Sequence, residues 1–340
     1  MKKFFIGIDF SKLTLDASLV ARGSDTLLGV GKFENSAQGF EALIAWILEK
    51  TRCTPDSWLI CGEHTGLYSY GLAQCTHDKG IDFWLESALQ IKLSKGMSRE
   101  KTDPVDATAI ARYAMRFEDR AKLYRPSSGI LEEIKDLLSY RDRLIKVKGS
   151  LSKAARELTR VKQSSASVRF IGEDSQRLAA EMEKQVKAAE GRMNELLLQD
   201  VGLMENYQLL TSIKGIGTIN ALMVMVLTGN FTLFDSARKF GCYCGVVPFE
   251  HRSGTSVRGK TRVSHLANKP MKVLLTQAAR TAVTYNPVLK AYFERKKKEG
   301  KHSLLIINNV RNKLIHMMFA VVKKHQQYDI NFKHPLAEAA

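Results

Sequence analysis

The first thirty-five residues alternate between apolar and polar positions in three short bursts. "FFIGIDF" (4–10), "LDASLV" (15–20) and "LLGVGKFEN" (27–35) each read as a strand, and the brief links between them predict a meander. The period then changes. In "AQGFEALIAWILEKT" Phe40, Leu43, Ile44 and Ile47 recur at helical spacing, and Ser36 stands where a capping residue belongs. "SWLICGE" reads as another strand, 67–77 as a helix, "IDFWLES" as a strand, and Asp103 opens a further helix.

The resulting order, βββαβαβα, predicts an α/β domain in which three antiparallel strands lead into parallel β-α units, the topology expected of an RNase H-like fold. Between about 130 and 210 the texture becomes long, charged and free of proline. Leu131, Ile134, Leu138 and Ile145 trace one apolar stripe; Leu178, Met182, Val186, Ala189, Met193 and Leu196 trace another. "KQSSASVRF" (162–170) separates them. Two long helices joined by a turn follow from this, either as part of a globular bundle or as an antiparallel coiled coil used for dimerisation. Beyond them, "LLTSIKGIGTINALMVMVL" sets two apolar segments about Gly215 and Gly217, as a helix-hairpin-helix or a plain turn between packed helices would. "SLLIINNVRNKLIHMMFAVVKKH" reads as a core helix of the C-terminal part. The segmentation is therefore 1–128, an α/β domain; 129–208, a helical spacer; 209–330, a mainly helical basic domain; and 331–340, a tail.

Composition sharpens this outline. The chain of 340 residues is 44% hydrophobic and 26% charged, ordinary for a globular protein. No apolar run is long enough to span a bilayer and the start "MKKFFIGIDF" lacks a signal-peptide core, so a cytoplasmic location without membrane partners is expected. Five cysteines without a C-x-x-C pair supply neither a disulfide framework nor a zinc site. The net charge of +17 is unevenly spread. From residue 211 onward there are 21 Lys and Arg against 6 Asp and Glu, whereas residues 1–210 carry 31 against 29. A basic C-terminal part points to a polyphosphate partner, most simply nucleic acid, because contacts to phosphates release condensed counterions. The run "RKKKEGK", with Lys296 and Lys297, is either part of such a contact or a solvated face.

The candidate chemistry lies in the acids and in one basic segment. Asp9 falls near the end of the first strand and Glu63 at the end of the fourth, where open α/β sheets build ligand sites. Asp103 and Asp106, in "KTDPVDA", share one helical face and have two readings: favourable charges at a helix start, or a joint hold on a divalent cation. Four carboxylates from distant positions can converge on two Mg²⁺ ions, the arrangement that activates the attacking oxygen and stabilises the leaving one in phosphoryl transfer. The segment "EHRSGTSVRGKTR" gathers Arg252, Arg258, Lys260 and Arg262 around Ser253, and reads as a flexible, glycine-bearing basic loop. A serine there either contacts phosphate or attacks it, and Ser256 or Ser264 would serve as well on residue type alone.

Together "GIDFSK", "GEHTG", "KTDPVDA", "LLTSIKGIG" and "GVVPFEHRSG" resemble the IS110 family of insertion-sequence transposases and the Piv-like DNA invertases, over residue 4 to about 320. Lys214 departs from that pattern, standing where many relatives have proline. The resemblance implies an N-terminal RuvC-like domain with a D-E-D-D tetrad at Asp9, Glu63, Asp103 and Asp106. It further implies a coiled-coil spacer and a C-terminal transposase domain whose nucleophile is Ser253. It also implies Mg²⁺, donor and target DNA, a noncoding bridge RNA from the element itself, and a dimer or tetramer. Two other readings of the residues stay open: a structure-specific nuclease in which water attacks, and a non-catalytic nucleic-acid-binding protein whose acids are caps and turns.

Overall fold

The computed structural model describes residues 1–23, 26–94, 103–126, 128–162, 165–253, 257–264 and 266–331; at 103, 250–253 and 257–262 it describes the backbone alone. The chain divides into two compact units, Met1–Pro126 and Ser127–Ala340.

The first unit is built on a five-stranded sheet in the order β3-β2-β1-β4-β5. Strands β1 (Phe4–Phe10), β2 (Thr14–Ala21) and β3 (Leu27–Glu34) form the predicted antiparallel meander. Strand β4 (Trp58–Glu63) runs parallel to β1, and β5 (Phe83–Glu86) parallel to β4. This mixed sheet is the one the sequence order anticipates. Alternation along each strand divides its two faces. Ile6, Ile8 and Phe10 of β1, Leu15, Ala17 and Leu19 of β2 and Trp58 and Ile60 of β4 pack with Phe40, Leu43 and Ile47 of helix α1 (Ala37–Thr51) and Leu72 of α2 (Leu67–Asp78). Ser36 caps α1 as its position predicts, accepting a hydrogen bond from the Gly39 N–H at 3.2 Å. On the other face Phe5, Leu59, Cys61 and Trp84 meet Ile91 of the short helix α3 (Ala88–Ser94) and Ile110, Tyr113 and Ala114 of α4 (Asp103–Arg116).

Two long helices open the second unit, α5 (Gly129–Val161) and α6 (Ala166–Leu197), lying along one another. The turn between them is shorter than its composition predicts, because Ser165 caps α6 through the Val168 N–H and draws Ser167 to Phe170 into the helix. Arg141 reaches Glu190 at 2.6 Å and Lys148 reaches Glu183 across the pair. The apolar stripes are not equally covered. Leu131, Ile134, Leu138, Ala189, Met193 and Leu196 join the main core of this unit, whereas Leu178 is exposed. That core continues through α7 (Val201–Thr211), α8 (Thr218–Thr228), α9 (Ala237–Tyr243), α10 (Lys269–Tyr285), α11 (Pro287–Lys298) and α12 (Ser303–Lys324).

The basic segment around Ser253 is more ordered than its composition predicts. Strands β6 (Phe249–Ser253) and β7 (Val257–Arg262) pair as an antiparallel ribbon, with Arg252 opposite Arg258 and Ser253 opposite Val257. Arginine, glycine and serine carry little strand propensity, so the ribbon rests on the backbone ladder rather than on an apolar pattern. No helix among the described residues is long and apolar enough to cross a membrane.

Candidate functional site

Pairing places Asp9 and Glu63 side by side. The parallel register of β1 and β4 runs to Ile8 opposite Gly62, so Asp9 and Glu63 are the next residues on adjoining strands. Both lie on the face covered by α4: Asp9 alternates with Ile8 and Phe10, which are committed to the opposite core, and Glu63 is in phase with Leu59 and Cys61, which pack with α4. Each is partly exposed.

Helix α4 brings in the second pair. It crosses β1 so closely that a side-chain carbon at Gly7 would lie 2.0 Å from the Ala107 carbonyl oxygen and 2.3 Å from the Ala111 nitrogen. Only a residue without a Cβ fits there. Ala107 follows Asp106, so the glycine two residues before Asp9 is what lets the Asp106 turn sit over the strand that bears Asp9. Asp103 is the first residue of the same helix, one turn earlier, and its side chain lies outside the described residues. The helix start is pinned from β2: Ser18 Oγ lies 2.9 Å from Thr108 Oγ1 and 3.4 Å from the Pro104 carbonyl oxygen.

Two acids escaped the sequence reading. Asp16 of β2 is the direct cross-strand partner of Asp9, is buried, and has Lys32 of β3 as its ion-pair partner at 3.6 Å. Glu86 of β5 is in register with Glu63 and accepts a hydrogen bond of 3.1 Å from Tyr113 Oη. Burial, and then the negative charge of Glu86, push the Tyr113 phenol up to about 12, so this tyrosine stays a donor. Lys32, Asp16, Asp9, Glu63 and Glu86 thus make a charged row across all five strands. The available signal was the strand alternation itself: in "TLDASLV" Asp16 and Ser18 fall opposite in phase to Leu15, Ala17 and Leu19.

A donor set of carboxylate oxygens suits hard divalent cations such as Mg²⁺ and is unsuited to soft ones. Among the described residues, to which the Asp103 side chain does not belong, no group of three or more His, Cys, Asp and Glu is gathered tightly enough to hold a metal ion.

In the second unit Ser253 ends β6, directly before residues 254–256, which lie outside the described residues and include Ser256. The backbone positions of Arg252, Arg258, Lys260 and Arg262 are all on the same ribbon. Gly215 has φ +108, and a side chain there would meet the Ala278 carbonyl oxygen at 2.8 Å, so α10 packs directly on it. Gly217 is open and starts α8 without a side-chain cap. Lys296 and Lys297 lie in the last turn of α11, where Lys296 is ion-paired with Glu299 at 2.6 Å. Cys61 and Cys244 are buried free thiols, and burial raises both.

The DEDD transposase family of IS110 type matches residues 6–161, and the Transposase IS116/IS110/IS902 family matches 207–294. The chain is 27% identical to the pilin gene-inverting protein of Moraxella bovis, over 97% of this chain and 98% of that one. It is also 27% identical to the transposase for insertion sequence element IS1111A of Coxiella burnetii, over 54% of this chain and 56% of that one. Among solved structures, T. thermophilus RuvC in complex with a Holliday junction substrate is similar at 16% identity and a TM-score of 0.26, covering 36% of this chain and 99% of that one, a likeness too weak to carry a conclusion. Both halves of the family signature are therefore present in order on one chain, which belongs to the IS110 family of transposases and is an enzyme of DNA recombination.

Proposed function

We propose that the protein cuts and exchanges DNA strands at the ends of an insertion sequence through a covalent phosphoserine link. The observation that carries this reading is the register placing Asp9 beside Glu63 beneath the start of α4. Asp9, Glu63, Asp103 and Asp106 would hold Mg²⁺, two ions by analogy with other phosphoryl-transfer sites. When bound, such ions supply charge stabilisation at the attacking and leaving oxygens.

The chain's own residues do the rest. The oxygen of Ser253 attacks the scissile phosphorus, its proton is lost to solvent or a neighbouring base, the bond from phosphorus to the leaving oxygen breaks, and that oxygen takes up a proton. The energy of the phosphodiester is kept in the Ser253 link for rejoining. Arg252, Arg258, Lys260 and Arg262 neutralise the charge that gathers on the phosphoryl oxygens. The carboxylates belong to the first unit and Ser253 to the second. In our reading α5 and α6 act as a coiled-coil spacer, so that the serine of one protomer completes the carboxylate site of another in a dimer or tetramer. A bridge RNA from the element aligns donor and target DNA, and Gly215, Gly217, Lys296 and Lys297 belong to the nucleic-acid surface.

The test is a strand-exchange assay with purified protein, donor and target DNA and co-purifying RNA, comparing wild type with Ser253→Ala. The reading requires the protein–DNA adduct and the recombinant product to vanish together. Continued cutting by the variant, with no adduct from the wild type, replaces it with a nuclease that uses water.

A further inference from the structure

The carboxyl ends of β1 and β4 carry more than two acids. Asp9 and Glu63 are each followed, four residues on, by a leucine left in water: Leu13, in the turn from β1 to β2, is 74% exposed, and Leu67, which opens α2, is 84% exposed. Tyr68 and Tyr70 beside Leu67 are exposed as well.

The backbone holds these two segments together. Asn35, directly after β3, donates through Nδ2 to the Ser11 carbonyl and to the Tyr68 carbonyl, both at 3.0 Å, and its N–H donates to the Leu13 carbonyl at 2.9 Å. Gly66, with φ +70, turns the chain from β4 into α2. Buried Ser69 donates to the Gly66 carbonyl at 3.0 Å and fixes the first turn, so that Tyr68 and Tyr70 on either side of it are left outward.

A single apolar residue in water needs no explanation, but four large ones on two segments tied by one asparagine make a patch. Neither tyrosine makes a ring contact or a side-chain hydrogen bond with another described residue. Lys12, in the same turn as Leu13, is exposed and has no ion-pair partner among the described residues. An aromatic patch with one cation, continuous with the acids at this sheet edge, fits the chemistry of a nucleobase and its phosphate. Every base has a face that stacks on a ring, and that face is available only where the strand is unpaired. Strand exchange requires such a state, since a base must leave one partner before it meets another.

We infer that Leu13, Leu67, Tyr68 and Tyr70 form a stacking platform for unpaired nucleobases beside Asp9 and Glu63, with Lys12 on an adjoining phosphate. This rests on the reading above that those carboxylates mark where strands are cut, and adds to it the state of the strand that the site accepts. DNA and RNA offer the same faces, and the test separates them.

The experiment measures binding with divalent cations removed. Full-length wild type, Tyr68→Ala, Tyr70→Ala, Tyr68→Phe, Lys12→Gln and Tyr140→Ala are titrated over a range of salt against three labelled probes: a paired DNA duplex, the same duplex with an unpaired central segment, and a single-stranded RNA. Thermal melting and sedimentation accompany each titration. The two alanine variants at the patch are each expected to weaken binding to an unpaired probe roughly tenfold, with the paired duplex and the salt slope unchanged. Tyr68→Phe keeps the ring and should bind as wild type, whereas Lys12→Gln should lower the salt slope by about one. Tyr140, exposed on α5, is the control and should change nothing. A loss on unpaired DNA alone assigns the platform to DNA, and a loss on RNA alone assigns it to RNA. Wild-type affinity in both alanine variants on every probe, or an equal loss on paired and unpaired DNA, overturns the platform and leaves the recombinase reading in place. Altered sedimentation with unaltered affinity replaces it with a contact between copies of the chain. A wild type that binds no probe overturns both readings.

Discussion

The two compact units solve opposite electrostatic problems. In the first, acids are drawn together: a row of four carboxylates crosses one sheet face, with Lys32 as its cation at one edge. In the second, cations are spread along helices and a ribbon that face few acids, 21 Lys and Arg against 6 Asp and Glu from residue 211 onward. Gathered like charges are tolerable where a divalent cation is shared, and dispersed ones where a polyanion lies along them. The contrast teaches that one chain can carry its acids and its excess of cations in separate compact units, and the proposed function assigns the first to the reacting oxygens and the second to the strand.

The largest expected effect divides chemistry from binding. Asp9→Asn and Glu63→Gln should each lower strand cleavage on the order of a hundredfold or more. DNA affinity should stay level or rise, because an acid has been removed from beside a polyanion. Equal losses of affinity and cleavage, in gel shift and cleavage assays run together, would break the division of labour.

A substitution that touches no charge comes next. Gly7→Ala places a methyl against the Ala107 carbonyl, so α4 must shift; a loss of about 1–3 kcal/mol is expected from overpacking, with cleavage reduced along with it. Calorimetric melting checks the first part. Wild-type stability would mean that α4 does not cross the strand this closely.

The basic side of the comparison predicts a graded result. Lys297→Gln should weaken DNA binding more than Lys296→Gln, because Lys296 is already engaged by Glu299. The Lys297 effect is expected to be severalfold, with a salt slope lower by about one, in fluorescence anisotropy.

The smallest effect concerns an ordinary surface tie. Glu118 accepts from the Lys2 N–H at 2.8 Å and pairs with Arg22. Although burial alone would raise its pKa, these partners outweigh it and hold the carboxyl below the usual glutamate range. A depressed folded value means that the tie stabilises above the unfolded pKa of about 4.3 and is lost as pH falls through the folded one. Glu118→Gln should therefore destabilise slightly at neutral pH, and thermal melts should show the gap to wild type closing as pH falls through the lowered folded value.

Local features were readable in the chain because neighbours in sequence make them. Ser36 before an apolar stripe fixes where α1 starts, and the phase of Ile6, Ile8 and Phe10 sets these three on one face of β1 together. Asp9 and Glu63 were legible as acids at strand ends for the same reason. The ribbon at 249–262 was not, since its residues lack an apolar phase and only pairing makes it a strand. Asp16 was passed over because a lone acid in a strand normally marks the solvent face, whereas here the covering helix makes that face interior.

By itself, then, the sequence determined element types, caps, core phase, the charge imbalance and the membership of the family, all of which depend on residue type and short spacing. Tertiary structure alone decided that residue 9 adjoins residue 63 and that Asp16 and Glu86 extend their row. Those adjacencies arise from strand pairing and helix packing between segments far apart in the chain, where the register is set by the summed burial of whole faces and not by any local pattern.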